Sequence, residues 1–163
     1  MTFKTIRTIL GFLALIYVLF VSPQAMAAVD DFVGTWENTN TDTRGVTRLI
    51  VTKNGSQTKL QAFGSCTPSD CDWGKVNATA FGNSVTSDVS SSALAIMGQY
   101  NSGGSQRTVV LRRHGNLLRA QIFTRFTDNS GRSHYVKNET FKKQIILNPG
   151  LVRPGLVLNT VPK

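Results

Sequence analysis

The sequence predicts an all-β protein, an eight-stranded antiparallel up-and-down barrel, with a β-sandwich as the runner-up. Three observations lead there. From Phe32 onward, short runs rich in β-branched and aromatic residues alternate with clusters of Gly, Asn, Asp and Ser. Two hairpin signals stand between such runs, at Asn54-Gly55 and at His114-Gly115-Asn116. No segment has apolar residues at helical spacing over a helix's length, and closing eight sequential strands removes the edges that an open sheet would leave.

The first strand is read from Asp31-Phe32-Val33-Gly34-Thr35-Trp36-Glu37-Asn38, where Phe32, Gly34 and Trp36 fall on one face. Glycine there permits close approach, and Trp36 supplies a large apolar plug. Val46 to Lys53 and Gln57 to Phe63 form the first hairpin. Trp73 to Ala80 is the fourth strand, with Trp73 at its mouth, and Ser-rich residues up to Ser92 read as a loop or a frayed edge. Ala93 to Tyr100 is a fifth strand whose Ala, Leu and Met also suit a short helix. Arg107 to Arg113 and Leu117 to Phe126 make the second hairpin. In the latter, Leu118, Ala120, Ile122, Thr124 and Phe126 share a buried face while Arg119, Gln121 and Arg125 face water. His134 to Lys142 is the eighth strand, with His134 partly buried at its start.

The ends divide the chain. Lys4 and Arg7 precede the apolar run Ile9 to Val21, and Ala25-Met26-Ala27 follows, which is the order of a secretory signal peptide at 1–27. Cleavage is expected after Ala27 or Ala28. The run falls short of the roughly 20 residues a membrane-spanning helix needs. A barrel domain is expected over 28–143. Residues 144–163 carry Pro149, Pro154 and Pro162 and read as an extended arm rather than a central strand.

Cys66 and Cys71, the only two cysteines, flank a turn-forming Thr-Pro-Ser-Asp, which in an exported chain points to a local disulfide. Two thiolates do not make a metal site, and neither a metal nor a cofactor is implied. Charge is uneven: residues 107–143 hold nine basic side chains against Asp128 and Glu139, whereas residues 28–106 hold five against seven acids. Such a one-sided field attracts polyanions and anionic surfaces.

Catalytic signatures are absent from the sequence. It has no Gly-x-Ser-x-Gly, no His-Glu-x-x-His and no carboxylate pair set for glycoside chemistry, and His114 and His134 are its only histidines. A non-enzymatic role is expected. Two candidate sites remain. Asp70, Asp72 and Trp73, at the disulfide loop, offer carboxylates beside an aromatic ring for a sugar, a cation or a basic peptide; the favoured reading is that Asp70 and Asp72 cap the tight turn and Trp73 fills the barrel end. Arg112, Arg113, Arg119 and Arg125, with Arg107 and Arg132, offer planar forks for phosphate, sulfate or carboxylate groups, or simply a solvated wall. Few aromatics interleave with these arginines, which disfavours nucleic acid.

Gly34-Thr35-Trp36 resembles the Gly-x-Trp opening of the calycin barrels, the lipocalins and avidins. That resemblance implies a tryptophan closing one end of the barrel with a basic residue from a late strand over it, for which Arg125 and Lys137 are candidates. Gly-Thr-Trp-x-Asn is similar to the avidin opening and adds Asn38 to the candidate ligand site. Asp42 stands where the avidin serine belongs and Trp73 is the only later tryptophan, so biotin is disfavoured. Across the mature chain, Gly-Thr-Trp, Asp70-Cys71-Asp72-Trp73-Gly74 and Phe126-Thr127-Asp128-Asn129-Ser130-Gly131-Arg132 look like a group of small secreted bacterial proteins with no established activity.

The sequence therefore leads to an exported, periplasmic or secreted binding protein: a small-ligand or carrier barrel whose mouth is lined by Trp73, the disulfide loop and Asn38. The alternative is an interaction module whose outer arginines bind an anionic envelope component or a partner protein.

Overall fold

A computed structural model describes residues 27–145. The signal peptide read over 1–27 and the arm read over 144–163 therefore lie almost wholly outside the described residues. Eight antiparallel strands follow a one-turn helix: α1 (Val29–Phe32), β1 (Gly34–Asn38), β2 (Val46–Asn54), β3 (Gln57–Gly64), β4 (Cys71–Phe81), β5 (Ala95–Ser102), β6 (Ser105–His114), β7 (Leu117–Phe126) and β8 (Tyr135–Lys143). Each strand pairs with the next and β1 also pairs with β8, so the sheet closes into an up-and-down barrel rather than a sandwich.

Turn chemistry explains the hairpins. The β2–β3 loop is Gly55-Ser56, with φ +59 at Gly55 only, and β6–β7 turns at Gly115-Asn116 in the same way, with φ +58 at Gly115. A first loop residue with positive φ, held by glycine, matches the right-handed twist of the flanking strands. The fifth segment forms a strand, not a helix, and Leu94 donates its N–H to Phe81 at its entry.

One element differs from the sequence reading. Val29–Phe32 is a helical turn, so β1 begins at Gly34 and not at Asp31. Asp31 Oδ2 accepts the Ala28 N–H at 2.8 Å, which fixes the turn, and the Phe32 carbonyl accepts Trp36 Nε1–H at 2.8 Å. The turn tucks Phe32 beneath the barrel, where it is fully buried beside Trp36.

These two rings close one end. Arg113 places its guanidinium carbon 4.8 Å from the Trp36 ring centroid and Lys143 its Nζ at 5.5 Å. Arg125 and Lys137, expected over this tryptophan, are elsewhere: period-two alternation sets Arg125 on the outer face, and Lys137 lies six residues along β8 from Lys143, toward the opposite end. The lumen above Trp36 is filled by Leu49, Val51, Leu60, Ile96, Leu111, Leu118 and Phe141, all buried. At Gly98 an added Cβ would meet Val76 Cγ2 at 3.0 Å and Leu60 Cδ2 at 3.1 Å, so the packing remains tight midway up.

Candidate functional site

The opposite end is open. There the inward-facing residues form a ring that follows from register: Tyr100 lies opposite Arg107, Arg107 opposite Thr124, and Thr124 opposite Tyr135. Trp73 on β4 completes it, edge-on to Tyr100 with ring centroids 5.7 Å apart. A recess of about 430 Å³ opens above this ring. Its floor includes Val46 and Ile122, and Cys66 and Cys71 form part of its wall. The disulfide between them is formed.

Trp73 is held firmly. A Cβ at Gly64 would come within 2.7 Å of Trp73 Nε1, so glycine at the end of β3 makes the space that the indole occupies. Trp73 sits in a bulge: between Gln61 and Phe63 the register against β4 shifts, so that Trp73 and Gly74 together face Ala62, and Gly74 takes φ +86. The extra residue turns Trp73 inward at the mouth. Arg107 then lies over the indole, with its guanidinium carbon 4.6 Å from the ring centroid. Among the described residues no acid forms an ion pair with Arg107. The recess thus presents a cation placed by an aromatic ring rather than by a carboxylate.

Of the other charges at the recess, Arg44 is exposed and forms no ion pair among the described residues, whereas Glu139, Lys137 and Asp72 are engaged. Glu139, with a side chain only 6 % exposed, sits 3.3 Å from Lys137 Nζ and accepts Thr43 Oγ1–H at 2.9 Å and the Val46 N–H at 3.0 Å. Asp72 accepts the Gly74 N–H at 2.8 Å and Gln61 Nε2–H at 2.7 Å. Burial, reinforced by the nearby Asp72 carboxylate, pushes the Tyr100 phenol well above the ordinary tyrosine range. Its hydroxyl donates to the Leu60 carbonyl at 2.9 Å.

Of the candidates read from the sequence, Trp73 and Asp72 line the recess. Asp70 is on its exposed flank, accepting Thr47 Oγ1–H at 2.7 Å. Asn38 is buried and occupied: its Nδ2–H donates to the Val46 carbonyl at 2.6 Å and its Oδ1 accepts the Asn40 N–H, which braces the β1–β2 loop. Arg112, Arg119 and Arg125 project outward, whereas Arg113 turns inward over Trp36. His134 is exposed before β8 begins, its Nδ1 accepting the Phe126 N–H at 3.2 Å. Arg107, Tyr100, Lys137 and Glu139 were not singled out for the mouth. The signal for them was periodicity, since Arg107 is in phase with buried Val109 and Leu111, and Lys137 and Glu139 with buried Phe141.

Among the described residues no group of three His, Cys, Asp or Glu side chains comes together as a metal site, and no helix is long and apolar enough to cross a membrane. No protein-family model matches the sequence, and no curated protein or solved structure is significantly similar to it.

Proposed function

We propose that this is an exported, calycin-like binding protein that holds a small acidic ligand in the recess at the open end of its barrel and performs no chemistry on it. The observation that carries the reading is Arg107, stacked on Trp73 and without an acidic partner among the described residues. A guanidinium oriented by an aromatic ring keeps its N–H edge free for a carboxylate or similar anion. Val46 and Ile122 below it offer apolar contact for the ligand's body, and the recess falls within the size range of small-molecule sites. The disulfide, and a leader with the composition of a signal peptide, support export.

The test is native mass spectrometry of protein purified from its own exported fraction, beside the Arg107→Met variant treated identically. The expected result is a stoichiometric added mass on the native protein that is lost on denaturation and is absent from Arg107→Met. A bare native protein, or equal retention by the variant, would overturn the reading.

A further inference from the structure

The β6–β7 register sets Arg112 directly opposite Arg119 on the outer wall, and both side chains are exposed. Neither forms an ion pair among the described residues. Like charges directly opposite on neighbouring strands repel, with Cβ atoms only about 5 Å apart. An ordinary solvated wall alternates sign at such positions, as this barrel could with one acidic residue. Instead, the sequence has no Asp or Glu anywhere from Val89 to Thr127, a span holding five arginines.

A groove of about 650 Å³ runs beside the pair, and Gln121, Asn138 and Thr140 line it. Thr140 lies opposite Arg119, and Asn138 opposite Gln121, so the arginines, the amides and the hydroxyl occupy adjacent rows on three strands. We infer that Arg112 and Arg119 form a clamp for one tetrahedral ester anion, a phosphate or sulfate carried on a saccharide. Two planar forks facing one gap can each donate two N–H groups to a tetrahedral anion, which also removes their mutual repulsion. The amides and the hydroxyl supply partners for sugar hydroxyls. The groove's lining has no Phe, Tyr or Trp on which a nucleic-acid base could stack, and the exposed His114 is its one ring. Nor does it have a large apolar side chain, beyond Val110, to enter a bilayer.

Arg125 belongs to a different neighbourhood. It lies six residues along β7 from Arg119, roughly 20 Å away, opposite Gln106 and beside exposed Phe123. That separation makes it the internal control. The clamp is independent of the recess, which opens inside the barrel at its far end.

The experiment is titration of the full-length mature protein at physiological ionic strength with glucose 6-phosphate, glucose 6-sulfate and unmodified glucose, followed through the arginine Nε–Hε resonances. The expected result is saturable one-to-one binding of an ester with shifts at Arg112 and Arg119, and none with glucose. Comparison of the two esters distinguishes a phosphorylated from a sulfated source. Arg119→Gln and Arg112→Gln should each weaken binding at least tenfold, and Arg125→Gln less than twofold. Arg119→Lys, which keeps the charge and the fold but loses the fork, should also weaken it. Several outcomes would overturn the clamp: no saturable shift with either ester, equal weakening by Arg125→Gln, undiminished binding by Arg119→Lys, or tighter Arg119-dependent binding of duplex DNA or anionic vesicles.

Discussion

Trp36 donates its indole N–H to the Phe32 carbonyl at 2.8 Å, and both side chains are fully buried. A side-chain hydrogen bond between the first strand and the turn before it joins the plug to the barrel it closes. The indole is one of the largest contributors to a core of small volume, and its loss leaves a cavity that fixed strands cannot collapse into.

Trp36→Ala should therefore lower the unfolding free energy by about 3–5 kcal/mol. Urea denaturation followed by circular dichroism would measure it. A loss under about 1 kcal/mol would mean that the closed end does not depend on the plug.

Gly64→Ala tests the placement of Trp73. The new methyl would overlap the indole at Nε1, and β3 cannot retreat while paired on both sides. The expected outcome is a red-shifted tryptophan emission as the ring is driven outward, with destabilisation of about 1–3 kcal/mol. Unchanged emission would show that the mouth has slack.

Tyr100 sets an alkaline limit. Its phenol is raised in the folded state, so its contribution to stability is fully present below the unfolded value, about pH 10, and is lost as pH rises above it. Absorbance titration near the phenolate band should show Tyr100 ionising only together with unfolding. Early, reversible ionisation of Tyr100 in the folded protein would contradict its burial.

Arg119→Gln should raise stability. Removing one of two facing like charges relieves a cross-strand repulsion of about 0.2–1 kcal/mol at low ionic strength, and the gain should shrink in 0.5 M salt as screening takes over. Thermal melts at both salt concentrations decide it. A variant less stable at low salt would show that Arg112 and Arg119 are not in repulsion.

Most of the barrel was legible in the sequence because hairpin glycines and period-two alternation are local signals. Leu118, Ala120 and Ile122 fixed the inner face of β7 without any knowledge of its partners. Val29–Phe32 was not legible, since four residues carry no periodicity and the turn is held by Asp31 and by contact with the finished barrel. Part of the candidate site was readable and passed over: Arg107 follows the phase of Val109 and Leu111, and charge alone suggested an outward position. Which cation covers which tryptophan was beyond reach, because it depends on barrel-wide register. Arg113 and Arg107 stand six residues apart on one strand and reach opposite ends.

The β1–β8 pairing involves only Trp36 to Asn38 against Phe141 to Lys143, and it unites the earliest strand with the last one. Nothing short of the whole strand set can complete the ring. A nascent chain lacking β8 carries two raw sheet edges and an unsealed interior, open to any extended peptide nearby. Assembly is thus postponed until synthesis has passed Lys143. On the export proposed above, such a chain can reach its translocation pore while still unclosed, and acquire its final shape on the other side.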